Sequence, residues 1–276
     1  MLTITDCSVL EAAPLGDGQA PKFFLLRLKA PGWTEEEWRP GQFVMVRPAA
    51  WESDLPLPRP FSICEVNKEE LGLFFQVMGK GTAKLSMLRT GDIVRVLGPL
   101  GSFFAMEADR PTLMLAGGMG LAPFLGYVQK HPKPQDLSLL FGHRPALDSY
   151  PFERLRGLGR LKSYHEQKPE DLRIFLQAVD EAIQDNARRN GLVLVCGPTP
   201  FLRAVRDMGK KYGASIQISL ENRMACGIGA CQACVVKPLA EGGNADRPLP
   251  PVFRQGLPVP VCTCGPVFWA DTVDLG

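Results

Sequence analysis

No stretch of the 276 residues approaches the roughly 18 consecutive apolar side chains that a membrane-spanning helix requires. The start, Met1-Leu2-Thr3-Ile4-Thr5-Asp6, has no basic segment followed by an apolar one, so a cleaved export signal is not expected. An excess of one charge is missing as well. With 31 Lys and Arg against 29 Asp and Glu, the net charge of +2 gives no electrostatic case for nucleic acid or an anionic membrane. Histidine is scarce: His131, His143 and His165 are not spaced as metal ligands, complete no Ser-His-Asp set, and each reads as an exposed loop residue. Disorder is excluded too, because 45% of the residues are hydrophobic, enough for a sizeable core. What remains is a soluble, folded chain expected in the cytoplasm, about two domains' worth at roughly 150 residues each.

Cysteine, by contrast, is plentiful and unevenly placed. Of eight, at positions 7, 64, 196, 226, 231, 234, 262 and 264, five fall in the last 51 residues. A dense cluster in a cytoplasmic chain points to metal rather than disulfides. Cys226, Cys231 and Cys234 have the C-x4-C-x2-C spacing of a plant-type [2Fe–2S] centre, which takes its fourth thiolate from a distant segment. Gly227 and Gly229 let the backbone wrap closely and direct N–H groups at the sulfurs. Structural zinc suits the spacing less well, since it more often uses two short-spaced pairs; reduced structural thiols are the other alternative. Cys262 and Cys264 are too close to ligate together, and Cys262 is favoured as the fourth ligand. Cys7, Cys64 and Cys196 read individually as small buried hydrophobes.

Along the chain the texture changes twice. Up to about residue 105, the short β-rich runs 23–28, 43–46, 73–77 and 93–96 are broken by turn formers, a pattern expected of an antiparallel barrel or sandwich, with one short helix over 82–89. From about 110 to 217, strand runs 112–116, 137–141 and 192–195 alternate with helical segments ending near Lys130, over 174–189 and over 200–212. This alternation favours a parallel sheet covered by helices. The last 60 residues are rich in Gly, Pro and Cys and form a small third unit, with a Gly/Pro-rich loop over 241–260.

Two regions carry phosphate-binding signals. Arg59-Pro60-Phe61-Ser62 is followed by Gly79-Lys80-Gly81-Thr82. A strand-borne arginine can pair with a pyrophosphate, while Gly81 and Thr82 offer N–H groups and a hydroxyl to the same anion, and the Ser62 hydroxyl can face a flavin ring. Gly117-Gly118-Met119-Gly120 follows a strand and opens a helix without a full G-x-G-x-x-G, and Cys196-Gly197-Pro198 ends a later strand. Strand C-terminal ends are where nucleotides collect in open α/β sheets.

In this order the motifs, with Leu97-Gly98-Pro99-Leu100-Gly101 between the two regions, resemble the ferredoxin–NADP reductase superfamily. Ser219-Leu-Glu-Asn-Arg-Met-Ala-Cys226-Gly-Ile-Gly-Ala-Cys231 and Val261-Cys262-x-x-Gly-Pro-Val-Phe268 look like the electron-transfer subunits of type B dihydroorotate dehydrogenase. The resemblance implies a multidomain fold: an antiparallel β-barrel FAD domain over 1–106, an α/β parallel-sheet NAD domain over 107–217 and a small C-terminal [2Fe–2S] domain over 218–276. It implies a TIM-barrel partner carrying FMN that oxidises dihydroorotate for pyrimidine biosynthesis, two of each subunit forming a heterotetramer, and electron flow from FMN through [2Fe–2S] and FAD to NAD. Nucleic acid and membrane are not among the expected partners, and NADP is left open. Arg59, Pro60, Phe61 and Ser62 then match the first flavin motif, Gly81 and Thr82 the pyrophosphate motif, and Phe74, Phe75 and Gln76 a further flavin-contacting stretch. Cys226, Cys231, Cys234 and Cys262 match the cluster ligands, and Gly117, Gly118, Gly120, Gly197 and Pro198 the dinucleotide loops. Ser62 and Cys196 are expected at the site of hydride transfer.

Three departures stand out. Phe75-Gln76 replaces an aromatic–Arg pair, 27 residues separate Cys234 from Cys262, and Cys264 takes the place of an acidic residue. Reductase subunits of ferredoxin transhydrogenases, sulfhydrogenases and anaerobic sulfite reductases share the motifs and form the alternative reading. A non-enzymatic, metal-stabilised binding module would explain the cysteines but not the paired flavin motifs.

Overall fold

The first six strands close into a barrel, and most of the second, third and fifth is buried along its length. The structure is a computed structural model that describes residues 3–17, 22–49, 56–239 and 256–276. Most of the loop expected over 241–260 lies outside the described residues. Strands β1 (Ile4–Leu15), β2 (Phe23–Lys29), β3 (Phe43–Pro48), β4 (Arg59–Asn67), β5 (Glu70–Gln76) and β6 (Ile93–Leu100) form the barrel in the order β1-β2-β5-β4-β3-β6, and β6 pairs back onto β1. Closure removes the exposed edges that an open sheet would present. Leu26, Leu28, Val44, Val46, Ile63, Leu73, Phe75, Val94 and Val96 fill the interior. Helix α1 (Lys80–Ser86) follows β5, starting two residues earlier than the apolar pattern indicated.

Strands β7 (Thr112–Gly117), β8 (Ser138–His143), β9 (Arg160–His165), β10 (Leu192–Cys196) and β11 (Ser215–Ser219) run parallel. Between them lie α2 (Ala122–Lys130), α3 (Pro169–Arg188) and α4 (Thr199–Tyr212). The inner strands β7 and β10 are buried along their length, as expected for a sheet covered on both faces. Helix α3 buries Phe175, Val179 and Ile183, one residue per turn. It begins five residues before the expected start because Pro169 opens it and the Asp171 carboxylate accepts the N–H groups of Gln167 and Lys168 at 3.0 Å.

The third segment is woven into the second. Short strands β12 (Val235–Val236) and β13 (Val259–Pro260) pair, and the one-turn helix α5 (Val261–Cys264) follows. Strand β14 (Val267–Trp269) then adds to the parallel sheet, antiparallel to β11, giving the order β14-β11-β10-β7-β8-β9. The expected boundary at residue 217 falls inside β11.

Barrel and sheet pack against each other. The Glu65 carboxylate meets the Arg154 guanidinium, the Lys130 ammonium donates to the Glu35 and Trp38 carbonyls, and the Tyr127 hydroxyl donates to the Ala105 carbonyl at 2.9 Å. Gly126 of α2 lies against the Trp38 ring, where a side chain would overlap it.

Candidate functional site

The cysteine loop turns through three residues with positive φ, Gly227 (75°), Gly229 (78°) and Gln232 (54°), which curl the backbone so that amides face inward. Ile228 and Cys231 each donate an N–H to the Cys226 sulfur at 3.5 Å, Gly229 donates to the Cys262 sulfur at 3.2 Å, and Cys262 donates to the Cys234 sulfur at 3.4 Å. Pairing of β12 with β13 and the bond from Val261 N–H to the Cys234 carbonyl, 2.8 Å, bring the remote cysteine to the loop. Amides led by Ile228 pull the Cys226 thiol down to about 7, whereas burial and the neighbouring Cys234 push Cys262 up to about 12.

Among the described residues no three His, Cys, Asp or Glu side chains converge as a single-ion site. The four sulfurs are instead spread along a loop and a helical turn, each of three met by backbone donors. That donor set fits a thiolate-bound centre of more than one iron, whose negative charge such amides offset. Cys264 has a different neighbourhood. It packs on the hydrophobic core, and its sulfur lies 3.9 Å from the Thr263 hydroxyl. The structure brings Cys262 to the loop and leaves Cys264 aside.

On the barrel, the two separated motifs meet. A Cβ on Gly81 would lie 2.6 Å from the Arg59 Nε, so the guanidinium lies over the first turn of α1 only because residue 81 has no side chain. A bare backbone under a guanidinium is a cradle suited to a pyrophosphate. The Thr82 hydroxyl is already engaged, accepting the N–H groups of Met78 (2.8 Å) and Gly79 (3.2 Å) and so holding the turn rather than reaching out. Pro60, Phe61 and Ser62 are half-buried on β4, with Ser62 opposite Phe43. Phe74 and Phe75 differ from expectation. Both are 2% exposed, Phe75 inside the barrel and Phe74 against the sheet domain beside Phe23 and Tyr150, so neither ring has a face to give a ligand. Within that stretch only Gln76 is partly open.

A cavity of about 630 Å³ lies where the C-terminal ends of β7, β8 and β10 meet the barrel. Gly117, Gly118, Pro198 and Gln76 line it, together with Glu221, which sequence reasoning passed over. Gly118 has positive φ (54°) and no atom within 4 Å of a Cβ, so its backbone is open to the cleft. Gly120 and Cys196 are corrected by the fold. A side chain on Gly120 would overlap the Cys196 carbonyl, so this glycine allows the loop to pack on β10 instead of contacting a ligand. Cys196 is 4% exposed and does not line the cavity, and burial raises its thiol far above the usual range. Gly197 sits beneath Gly117, with the Gly117 nitrogen 3.1 Å from where its Cβ would be.

The family described as the iron–sulfur cluster binding domain of dihydroorotate dehydrogenase B matches residues 221–247, and that described as an oxidoreductase NAD-binding domain matches 114–207. A dihydroorotate dehydrogenase B (NAD(+)) electron transfer subunit from Caldanaerobacter subterraneus subsp. tengcongensis is 32% identical over 241 residues, 87% of this chain and 89% of the relative. The subunit of the same name from Listeria monocytogenes serovar 1/2a is 33% identical over 243 residues, 86% of this chain and 87% of its own. The solved structure of an NADH-dependent reduced ferredoxin-NADP oxidoreductase superposes with a TM-score of 0.77 at 21% identity, covering 98% of this chain and 90% of that one, and shares its fold.

Proposed function

The chain belongs to the family of dihydroorotate dehydrogenase B (NAD(+)) electron transfer subunits, and from that membership we propose that it passes electrons to NAD+ from a catalytic partner oxidising dihydroorotate to orotate. One observation carries the reading: the cysteine loop rests on the barrel wall at Met45, which pairs directly with Pro60 of the Arg59–Ser62 motif. Metal loop and flavin motif therefore adjoin within one fold. The partner is taken to be an FMN-bearing TIM-barrel subunit, assembled two and two with this chain in the cytoplasm. Among the described residues no helix is long and apolar enough to cross a membrane.

Each unit has its task in this scheme: residues 1–106 hold FAD, 107–217 hold NAD, and 218–276 hold the [2Fe–2S] centre while lending β14 to the sheet. When bound, the flavin links one-electron traffic at the iron–sulfur centre to hydride exchange with the nicotinamide. Cys226, Cys231, Cys234 and Cys262 supply the thiolates, and the amides of Ile228, Gly229, Cys231 and Cys262 offset their charge. Arg59 and the Gly81 backbone would hold the pyrophosphate, and Pro60, Phe61 and Gln76 would border the ring. The Ser62 hydroxyl, which donates to no described residue, would serve the reacting edge of the flavin. Gly117, Gly118 and Pro198 give the dinucleotide a close backbone approach, with Gly197 beneath them.

The test is purification of the chain with its native partner. FAD, iron and acid-labile sulfide in the complex, with dihydroorotate-dependent NAD+ reduction, are the expected result; a colourless preparation overturns the reading. Within an active complex, Ser62→Ala is expected to slow NADH oxidation with little loss of FAD.

A further inference from the structure

The cleft has two ends. One meets the barrel at Phe23 and Gln76; the other is closed by the C-terminal ends of β8 and β9, where His143, Arg144 and Glu166 stand together. A dinucleotide with its nicotinamide toward the barrel motifs lays its adenosine half on this second wall.

Glu166 is held there with care. Its N–H donates to the His143 carbonyl at 2.8 Å, continuing the β8–β9 ladder by one residue. Its carboxylate is 15% exposed and lies against the bare Cα of Gly142, where a Cβ would come 2.7 Å from Oε1. The other oxygen is 3.6 Å from the Arg144 Nε, whose side chain is 79% exposed. The carboxylate is thus the fixed member of the pair and the guanidinium the loose one.

Each histidine on this wall has a ring nitrogen engaged by a backbone carbonyl. His143 is 4% exposed, its Nδ1 is 2.8 Å from the Pro145 carbonyl and so must donate to it, and burial lowers its basicity, leaving a neutral ring at neutral pH. The Nε2 of His165 is occupied by the Arg144 carbonyl at 2.8 Å. Among the cavity's described lining residues Arg144 is the one Lys or Arg, while Glu166 and Glu221 are both carboxylates.

We infer that the Glu166 carboxylate is the acceptor for the adenosine-ribose hydroxyls and that, with Arg144 drawn onto it, it makes the cleft select the dinucleotide without a 2′-phosphate. The inference rests on the reading of this cleft as the dinucleotide site. A fixed carboxylate pairs with a vicinal diol through two O–H donors. Facing a phosphate of nearly two negative charges it is repulsive, and the single guanidinium that could answer that charge is already paired. Arg144 alone would favour the phosphorylated ligand, so the acid decides the preference.

The experiment is isothermal titration of NAD+ and of NADP+ into the FAD- and iron-loaded complex, which reads affinity without turnover. The parent protein is expected to bind NAD+ at least roughly tenfold tighter than NADP+. Glu166→Gln should shrink that ratio by about tenfold or more, weakening NAD+ and tightening NADP+ through the released Arg144. Adding Arg144→Ala to Glu166→Gln should abolish the NADP+ gain. An unchanged flavin spectrum shows each variant to be folded. A parent that binds NADP+ as tightly as NAD+, or a folded Glu166→Gln with an unaltered ratio, overturns the inference while leaving the nucleotide cleft standing. Failure of both dinucleotides to bind a loaded complex overturns the cleft reading along with it.

Discussion

A Cβ on Gly227 would lie 2.5 Å from the Met45 Cγ and 3.2 Å from its sulfur, so the cysteine loop touches the barrel through bare backbone. Met45 is 1% exposed and shares a hydrophobic cluster with Cys234 and Cys262, so it has no room to retreat. Gly227→Ala therefore meets two penalties, a left-handed φ of 75° and a steric wedge. Together they amount to about 2 kcal/mol or more. A lower thermal midpoint and a substoichiometric iron content are expected; full iron loading at the parent midpoint would refute the contact's importance.

The two neighbouring cysteines of α5 should behave oppositely. Cys262 receives the Gly229 N–H and donates its own N–H to the Cys234 sulfur, whereas Cys264 packs on the core. Cys262→Ser is expected to lose most of the iron and sulfide under anaerobic purification. Cys264→Ser should retain both and the parent visible spectrum. The reverse pattern would make Cys264 the fourth ligand.

Gly81→Ala should weaken FAD retention by forcing the Arg59 guanidinium aside, by roughly tenfold if one charge-assisted contact is lost. Arg59→Ala should weaken it at least as much. Equilibrium dialysis of FAD against each variant measures both, and equal affinity in all three proteins would detach this turn from the flavin.

Two buried thiols make stability fall with alkalinity. Burial, helped by Asp6 in the case of Cys7, pushes Cys7 and Cys64 up to about 12, above the usual value near 8.5. The fold therefore keeps these protons after the unfolded chain has released its own. The stabilisation is complete below about pH 8.5 and is lost progressively as pH rises toward 12, by about 1 kcal/mol per thiol between pH 8.5 and 9.5. Urea midpoints taken across that interval should drop more steeply for the parent than for Cys7→Ala or Cys64→Ala. Parallel slopes would show that these thiols do not titrate in the fold.

Local chemistry made much of this molecule readable in advance. The cysteine spacing is a ligand pattern in itself, and β2, β3, β7 and β10 are dense apolar runs. Strand β1 was harder, because only Cys7 and Val9 are fully buried along it, and β9 presents Arg160, Lys162 and Ser163 at a sheet edge with no apolar run to mark it. β14 is three residues long and acquires its meaning only from pairing with β11. The same limit explains the misread site residues. Successive strand positions point to opposite faces, so Phe74 and Phe75 both look available until the barrel wall is closed around them. Gly120 resembles a phosphate glycine, yet its lack of a side chain serves the packing onto Cys196. Glu166 carries no motif: its pairing with Arg144 exists only once β8 and β9 lie side by side.

The attachment of β14 to β11 has a bearing on how this subunit fails. Leu220 donates its N–H to the Pro266 carbonyl at 2.9 Å, and Ser102 accepts that of Val267 at 3.0 Å, so the polypeptide re-enters the sheet immediately beyond its final thiols. A truncation upstream of Val267 would untie the iron-bearing hairpin and bare the unpaired rim of β11 in one stroke. Metal loss and self-association should then arise together, as one defect with two symptoms.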